Sequence, residues 1–151
     1  MALLTKPVLS RQTMLAEVAL ILVSAGTLLA MGRALACRCG KIALWSGNIW
    51  SDHNSQELAD PYSFTHITHG VLFFWGLRMV AGRLSVGTRL ILATVIEAAW
   101  EITENTDFVI NRYREATISL DYYGDSVINS MSDIGTLDSA HFAGAAYSGP
   151  H

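Results

Sequence analysis

Three long apolar blocks constrain the fold of this chain more than any other feature of its sequence. They cover residues 14–36, 64–82 and 84–105, and each is close to the roughly 20 residues that cross a bilayer as an α-helix. Only 15% of the 151 residues are charged, whereas soluble domains carry about 25%. Because a chain of this size offers little room to bury three such blocks, the sequence predicts an all-α integral membrane protein with three transmembrane helices.

Positively charged residues predict how these helices are oriented. Arg78, Arg83 and Arg89 surround the short connection between the second and third blocks, and Lys6 and Arg11 precede the first. Short loops rich in lysine and arginine stay on the cytoplasmic side of a membrane. We therefore expect a multi-pass inner-membrane protein with a cytoplasmic N-terminus and an external first connection.

A cleaved signal peptide is the alternative interpretation of the first block. Its small-x-small sequence, Ala34-Leu35-Ala36, stands directly before Cys37 and resembles a cleavage site. The apolar stretch is longer than the 7–15 residues usual in signal peptides, and Arg33 interrupts the approach to the site. These two features favour a retained span.

The remainder of the chain is more polar. Residues 105–133 predict a polar helical segment, which completes a single membrane domain over residues 1–133. Residues 134–151 are rich in small side chains and show no apolar helical stripe. We expect this part to be a disordered or altered tail.

Charge and cysteine content exclude some classes of function. A net charge of −3 argues against a nucleic-acid-binding protein, which usually has a basic patch or stripe. Cys37 and Cys39 are too few for a disulfide scaffold or for a metal site built from cysteines alone. We interpret them as free thiols or as a weak metal clamp.

Ionisable residues inside the second and third blocks form the main candidate site. His66 and His69 share one helix face, and a second stripe on the third block contains Glu97, Glu101 and Glu104. Two spans joined by a short turn run antiparallel, so the histidines should lie beside the glutamates. We expect at least one histidine within about 6 Å of Glu101 or Glu104, the range of strong charge coupling.

A four-residue repeat of polar side chains offers a third contributor. If the segment is helical, one face carries Asp121, Asp125, Asn129 and Asp133. Nearby, Arg112 and Arg114 can bind a phosphate or lipid headgroup, or pair with a neighbouring carboxylate from Asp107, Glu115 or Asp121.

The residue types suggest metal or acid–base chemistry. Histidines with carboxylates bind zinc, iron or manganese, so His66 and His69 are the candidate metal ligands and a divalent metal is the candidate cofactor. The candidate catalytic residues are Glu97, Glu101, Glu104, Asp121 and Asp125. The sequence does not decide whether the chain is an enzyme.

Two functional hypotheses follow from this site. The first is a non-catalytic membrane protein, an assembly partner whose polar groups only pair helices. The alternative is a membrane enzyme or ligand-binding protein with a His/Glu/Asp site at the outer face. Membrane lipid is the expected partner in both cases, and a transport role would require a homo-oligomer because three or four spans are few.

Several motifs resemble a family of uncharacterised multi-pass membrane proteins of alphaproteobacteria. They are CRCG at 37–40, NSQELADPYSFTHI at 54–67, ITHG at 67–70, EAAWEITEN at 97–105 and RYREATISLDYYGDSVINSMSD at 112–133. The resemblance implies an inner-membrane location and several spans. Members look as though they continue past Asp133 into another apolar segment, so we expect this chain to depart from the family there.

Overall fold

A computed structural model describes residues 9–116 and 122–148 of the chain. Within these ranges the fold is entirely helical, which confirms the predicted all-α class. The helices are α1 (Arg11–Ala30), α2 (Ser63–Val80), α3 (Val86–Glu104), α4 (Asp107–Ala116) and α5 (Val127–Tyr147). Helices α2 and α3 coincide with the second and third apolar blocks, whereas α1 ends before the first block does.

Three of the long helices begin directly after a capping serine. The hydroxyl groups of Ser10, Ser85 and Ser126 each accept the backbone N–H three residues later, at 3.0–3.2 Å. Such a bond satisfies one of the N–H groups that a helix start leaves without a partner. These serines therefore fix where α1, α3 and α5 start.

Helix α5 shows that the prediction of a disordered tail is wrong for residues 134–147. The helix continues to Tyr147, and the side chains of Ile134, Leu137 and His141 are fully buried. Small residues on α5 allow this packing, as a Cβ atom on Gly144 would lie 2.8 Å from Phe74. The small residues that suggested disorder are the residue types that allow helices to pack closely.

The closest helix packing lies between α2 and α5. A Cβ atom on Gly70 would come within 2.7 Å of Ala140 Cβ and 3.1 Å of the His141 backbone nitrogen. Glycine is therefore needed there for the two backbones to approach. Helix α1 packs against α3 and α5 on the other side of the bundle.

The long connections meet at one end of the bundle, here called the loop end. Helices α1 and α3 finish there, and α2 and α5 begin there. Backbone bonds join the connections: Ser126 N–H donates to Ser55 O and Val127 N–H donates to Ala34 O, both at 2.8 Å. The Gln56 side chain adds a bond from Nε2 to Gly124 O at 2.7 Å. The opposite end carries the short turn between α2 and α3, together with the start of α1 and the end of α5.

The helices bury polar side chains and expose apolar ones. On α1, Leu22 and Val23 are each 66% exposed, while Glu17 and Ser24 are buried. The same reversal occurs on α3, where Glu97 is buried and Ile96 is exposed. Among the residues that the structure describes, α1 alone is long and apolar enough to cross a membrane by length and composition.

Candidate functional site

The structure brings the two predicted histidines beside the predicted glutamates. His66 Nδ1 is in hydrogen-bond contact with Glu97 Oε1 and lies 3.6 Å from Glu101 Oε1. His69 Nδ1 lies 3.3 Å from Glu97 Oε2. The expected distance between the histidine and glutamate faces is therefore confirmed, whereas the roles of these residues stay predictions.

Helix geometry explains this arrangement. The three-residue spacing of the histidines and the four-residue spacing of Glu97 and Glu101 place each pair on one helix face. The short connection between α2 and α3 makes the helices antiparallel, so the start of α2 meets the end of α3. Ligand-type side chains that are about 30 residues apart in the chain therefore become neighbours.

Helix α5 contributes a third carboxylate, Asp133. Its Oδ2 atom lies 3.7 Å from His66 Nε2, and its Oδ1 atom accepts a 2.8 Å hydrogen bond from Ser63 Oγ. Asp133 belonged to the predicted polar repeat but was not among the candidate catalytic residues. The repeat was therefore a usable signal for this residue. We call His66, His69, Glu97, Glu101 and Asp133 the helix cluster.

The polar repeat is not one helical face, so that part of the prediction is wrong. Asp125 lies in the non-helical segment before α5, whereas Asn129 and Asp133 lie on α5 itself. Asp121 lies outside the described residues. The interruption arises at Gly124, whose φ of +93° is a left-handed conformation that breaks a helix.

Asp125 is nevertheless buried beside the helix cluster. Asn105 Nδ2 donates to its Oδ2 atom at 2.9 Å, and Asn105 Oδ1 accepts the Asp125 backbone N–H at 2.7 Å. The Tyr122 hydroxyl donates to its Oδ1 atom at 2.9 Å. Burial raises the pKa of Asp125 above its ordinary value, and these two side-chain donors offset part of the rise.

A cavity of about 440 Å³ opens beside the helix cluster. Its polar lining includes His66, His69, Glu104, Tyr122, Asp125 and Asp133. Burial and the adjacent Asp125 raise the pKa of Tyr122, so its phenol stays protonated at neutral pH. Glu104, predicted from the α3 stripe, thus lines the cavity. Tyr122 also lines it, although no sequence pattern indicated this residue.

The helix cluster has the composition and spacing of a divalent metal site. His66, His69 and Glu97 each offer one ligand atom, and the three atoms lie within 4.8 Å of one another. The same holds for His66, Glu101 and Asp133. Three protein ligands with one position left open are typical of catalytic zinc sites, and His66, His69 and Asp133 also line the cavity.

One of the carboxylates predicted to pair with Arg112 or Arg114 has a different partner. Asp107 pairs with Arg33 at 2.9 Å, rather than with Arg112 or Arg114. Arg114 Nε donates to the Tyr122 carbonyl at 2.6 Å. The sequence does not indicate these contacts of Arg33, because Asp107 and Tyr123 lie far from it in the chain.

The match to known proteins extends across most of the chain. Residues 28–147 match the family described as "Protein of unknown function (DUF2585)". The chain belongs to this family. The matched region includes the helix cluster and the cavity lining, and it runs past Asp133 through the segment that was expected to depart from the family.

Relatives in alphaproteobacteria support this membership. A UPF0314 protein of Paracoccus denitrificans is 54% identical over 114 residues, which cover 76% of this chain and 59% of the relative. A UPF0314 protein of Brucella anthropi is 46% identical over 115 residues, covering 76% and 58%. The chain thus matches less than two thirds of the length of either relative. No solved structure matches the chain.

Proposed function

We propose that the chain is a multi-pass inner-membrane protein that binds a divalent metal ion at the helix cluster and a ligand in the adjoining cavity. The observation that carries the proposal is the convergence of two histidines and three carboxylates from three helices. Carboxylates and imidazoles buried together need either a proton, a hydrogen bond or a cation to offset the loss of hydration. A divalent cation would serve several of these groups at once.

The membrane part of the proposal is supported by the reversed burial pattern. Large apolar side chains cover the outside of α1, α2 and α3, including Leu22, Leu72, Trp75 and Val95. Water-soluble proteins rarely expose contiguous apolar surface on this scale, whereas lipid solvates it. The polar side chains then face one another in the interior, as expected for ionisable groups inside a membrane protein.

Aromatic and basic residues support an orientation for this arrangement. Exposed Trp45, Trp50 and Trp100 lie near the loop end, and indole rings favour the membrane–water interface. Arg78 and Arg83 lie at the opposite end of the bundle. By the positive-inside rule that end is cytoplasmic, so the helix cluster and its cavity face the external side.

The residues around the cavity have complementary chemical roles in this proposal. His66 would present Nδ1 to the metal while Asp133 orients the ring from the Nε2 side, an arrangement common for metal-bound histidines. The Tyr122 hydroxyl holds the Asp125 carboxyl group by its hydrogen bond, and Glu104 and Asp125 offer carboxyl groups for proton transfer. A bound metal would supply Lewis-acid activation of a ligand oxygen. The proposed class of function is therefore metal-assisted hydrolysis, or binding, of a polar ligand that is accessible from the lipid.

A helix-pairing role without metal is the second candidate. It is favoured by hydrogen bonds that cross between helices, such as Thr94 Oγ1 to Asp138 Oδ1 at 2.7 Å and Ser63 Oγ to Asp133 Oδ1. These bonds join α5 to α3 and α2. Such bonds stabilise helix association in membranes, whether or not an ion is bound.

Metal retention by the detergent-purified chain distinguishes the two candidates. We expect Glu97→Gln to lower the affinity of the helix cluster for zinc or manganese at least about tenfold, because a ligand carboxylate becomes a neutral amide. The measurement is metal content after dialysis against a weak chelator, with membrane insertion checked by resistance to carbonate extraction.

Glu17→Gln is the matched control, since Glu17 is a buried glutamate on α1 outside the helix cluster. Its metal content should equal that of the wild type. Equal metal content in wild type and Glu97→Gln, with both chains inserted, would instead support the helix-pairing role.

A further inference from the structure

A second group of metal-ligand side chains lies in the connection between α1 and α2, separate from the helix cluster. It consists of Cys37, Cys39, His53 and Glu57, here called the loop cluster. One ligand atom from each residue lies within 4.8 Å of all the others. Cys37 Sγ is 3.6 Å from His53 Nδ1, and His53 Nδ1 is 3.2 Å from Glu57 Oε1.

These distances fit four ligands around one tetrahedral zinc ion. Zinc binds sulfur at about 2.3 Å and nitrogen or oxygen at about 2.0–2.2 Å. Tetrahedral angles then place neighbouring ligand atoms roughly 3.3–3.8 Å apart. The sulfur–nitrogen distance is inside this range and the nitrogen–oxygen distance is just below it, so small side-chain rotations would complete the geometry.

Backbone N–H groups already point at both sulfur atoms. Cys39 N–H donates to Cys37 Sγ at 3.3 Å, and Lys41 N–H donates to Cys39 Sγ at 3.4 Å. A thiol gains little from such donors, whereas a thiolate ligand is stabilised by them. These two bonds are independent of the spacing among the four side chains, and the same N–H groups would hydrogen-bond to metal-bound thiolates.

The local fold holds the cysteines in this arrangement. The Gly40 N–H donates to Cys37 O at 3.1 Å, and Gly40 has a φ of +76°, which glycine adopts without strain. The chain therefore reverses directly after Cys39. Glu57 is fixed from the other side, because its Oε2 atom accepts the Ala43 N–H at 2.5 Å.

We propose that Cys37, Cys39, His53 and Glu57 bind one structural zinc ion. Two thiolates, one imidazole and one carboxylate form a ligand set that suits zinc. Binding releases the protons of both thiols to solvent and requires no change of oxidation state. The four ligands leave no open position, so the ion is structural and takes no substrate.

The position of the loop cluster indicates what the ion would stabilise. Between its ligands in the chain lie Trp50 and Asn54, which line the cavity. Ser55 and Gln56 tie the same segment to the start of α5 through Ser126 and Gly124. A zinc ion there would fix one wall of the cavity by closing the loop from residue 37 to residue 57.

Cobalt substitution tests this site directly. The full chain, purified in detergent with reductant and freed of metal, is titrated with Co²⁺ while its absorption spectrum is recorded. Because the helix cluster is also proposed to bind a divalent ion, we expect up to two equivalents to be needed before a thiolate-to-cobalt charge-transfer band and the visible bands of tetrahedral cobalt reach their full intensity. Zinc should then abolish these bands by displacing the cobalt. A titration without a charge-transfer band would overturn the proposal.

Variants assign the band to the loop cluster. Cys39→Ser should lower its intensity, the double variant Cys37→Ser/Cys39→Ser should eliminate it, and Glu57→Gln should weaken cobalt binding at least about tenfold. Asp52→Asn is the matched control, because exposed Asp52 approaches His53 only to 3.8 Å and is not a ligand. Glu97→Gln should also leave the band unchanged, which separates this site from the helix cluster. Persistence of the band in the double variant would contradict the assignment.

Thiol protection in the wild-type chain gives a test that needs no variant. Exposed Cys39 should react quickly with an aromatic disulfide reagent in the metal-free protein, and two equivalents of zinc, enough for both clusters, should slow the reaction at least about tenfold. Magnesium, which binds thiolates poorly, should give no protection. Equal reaction rates with and without zinc would overturn the proposal.

Discussion

The helix cluster and the loop cluster contain similar ligand types but are built in different ways. The helix cluster draws its side chains from three helices, and Glu97 and Glu101 are each 1% exposed. The loop cluster comes from one segment of 21 residues, 37–57, and includes the exposed thiol of Cys39. Helix packing holds the first in place, whereas the second depends on turns that a metal ion would stabilise. The two proposals together would give one chain a metal site built by helix packing and a second one built by turns.

The largest expected effect comes from disturbing the contact that holds the helix cluster. Gly70→Ala places a methyl group against Ala140 and the backbone of α5, and overpacking of this kind costs about 1–3 kcal/mol. We expect a lower unfolding temperature in detergent and weaker metal retention at the helix cluster. The cobalt–thiolate band of the loop cluster should be unchanged.

Gly76→Ala is the control on the same helix, because a Cβ atom there meets nothing within 4 Å. It should leave the unfolding free energy unchanged or raise it by up to about 1 kcal/mol through helix propensity. Equal unfolding temperatures for the two variants would show that the close approach of α2 and α5 does not hold the helix cluster.

The two clusters also differ in how far their sequence predicts them. Helical spacing identified His66, His69, Glu97 and Glu101, because residues three or four apart share a face and antiparallel helices align their ends. The polar repeat indicated that Asp133 belongs to a polar face. Its contact with His66 was not predictable, because the repeat does not indicate how α5 packs against α2.

The loop cluster shows where this kind of reasoning stops. Sequence reasoning left Cys37 and Cys39 as free thiols or a weak metal clamp. No pattern connected them with His53 and Glu57, which are brought near them by turns rather than by helical spacing. The same limit applies to α5. Its small residues resembled a disordered tail because the packing that they permit depends on Gly70 and Phe74, far away in the chain.

A smaller effect is expected from Asp125, a buried carboxyl group that lines the cavity. Burial raises the pKa of Asp125 above its ordinary value of 3.8, so the folded state holds this proton more tightly than the unfolded state. Ionisation of Asp125 therefore lowers the unfolding free energy of the metal-free protein. This loss is absent below the unfolded-state pKa, grows as the pH rises, and is complete above the folded-state pKa.

Asp125→Asn should consequently be more stable than the wild type at neutral pH, and its advantage should shrink as the pH falls toward about 4. An asparagine can still accept from Asn105 and donate to the Tyr122 oxygen. Unfolding temperatures across this pH range provide the measurement. An advantage that is the same at every pH would show that lost ionisation is not its cause.

The smallest expected effect concerns the ion pair between Arg33 and Asp107 at the loop end. Asp107 pairs with Arg33 at 2.9 Å, but its side chain is 84% exposed, and exposed pairs contribute about 0–1 kcal/mol. Arg33 also donates to the Tyr123 and Met31 carbonyl groups, at 3.2 and 3.1 Å. Asp107→Asn should therefore lower the unfolding free energy by less than about 1 kcal/mol and leave metal binding at both clusters unchanged.

Arg33→Met should lower the unfolding free energy more, because it removes the donor to the two carbonyl groups while keeping an apolar stem of similar length. If Asp107→Asn proved as destabilising as Arg33→Met, the ion pair rather than the backbone contacts would be what joins the two connections at the loop end.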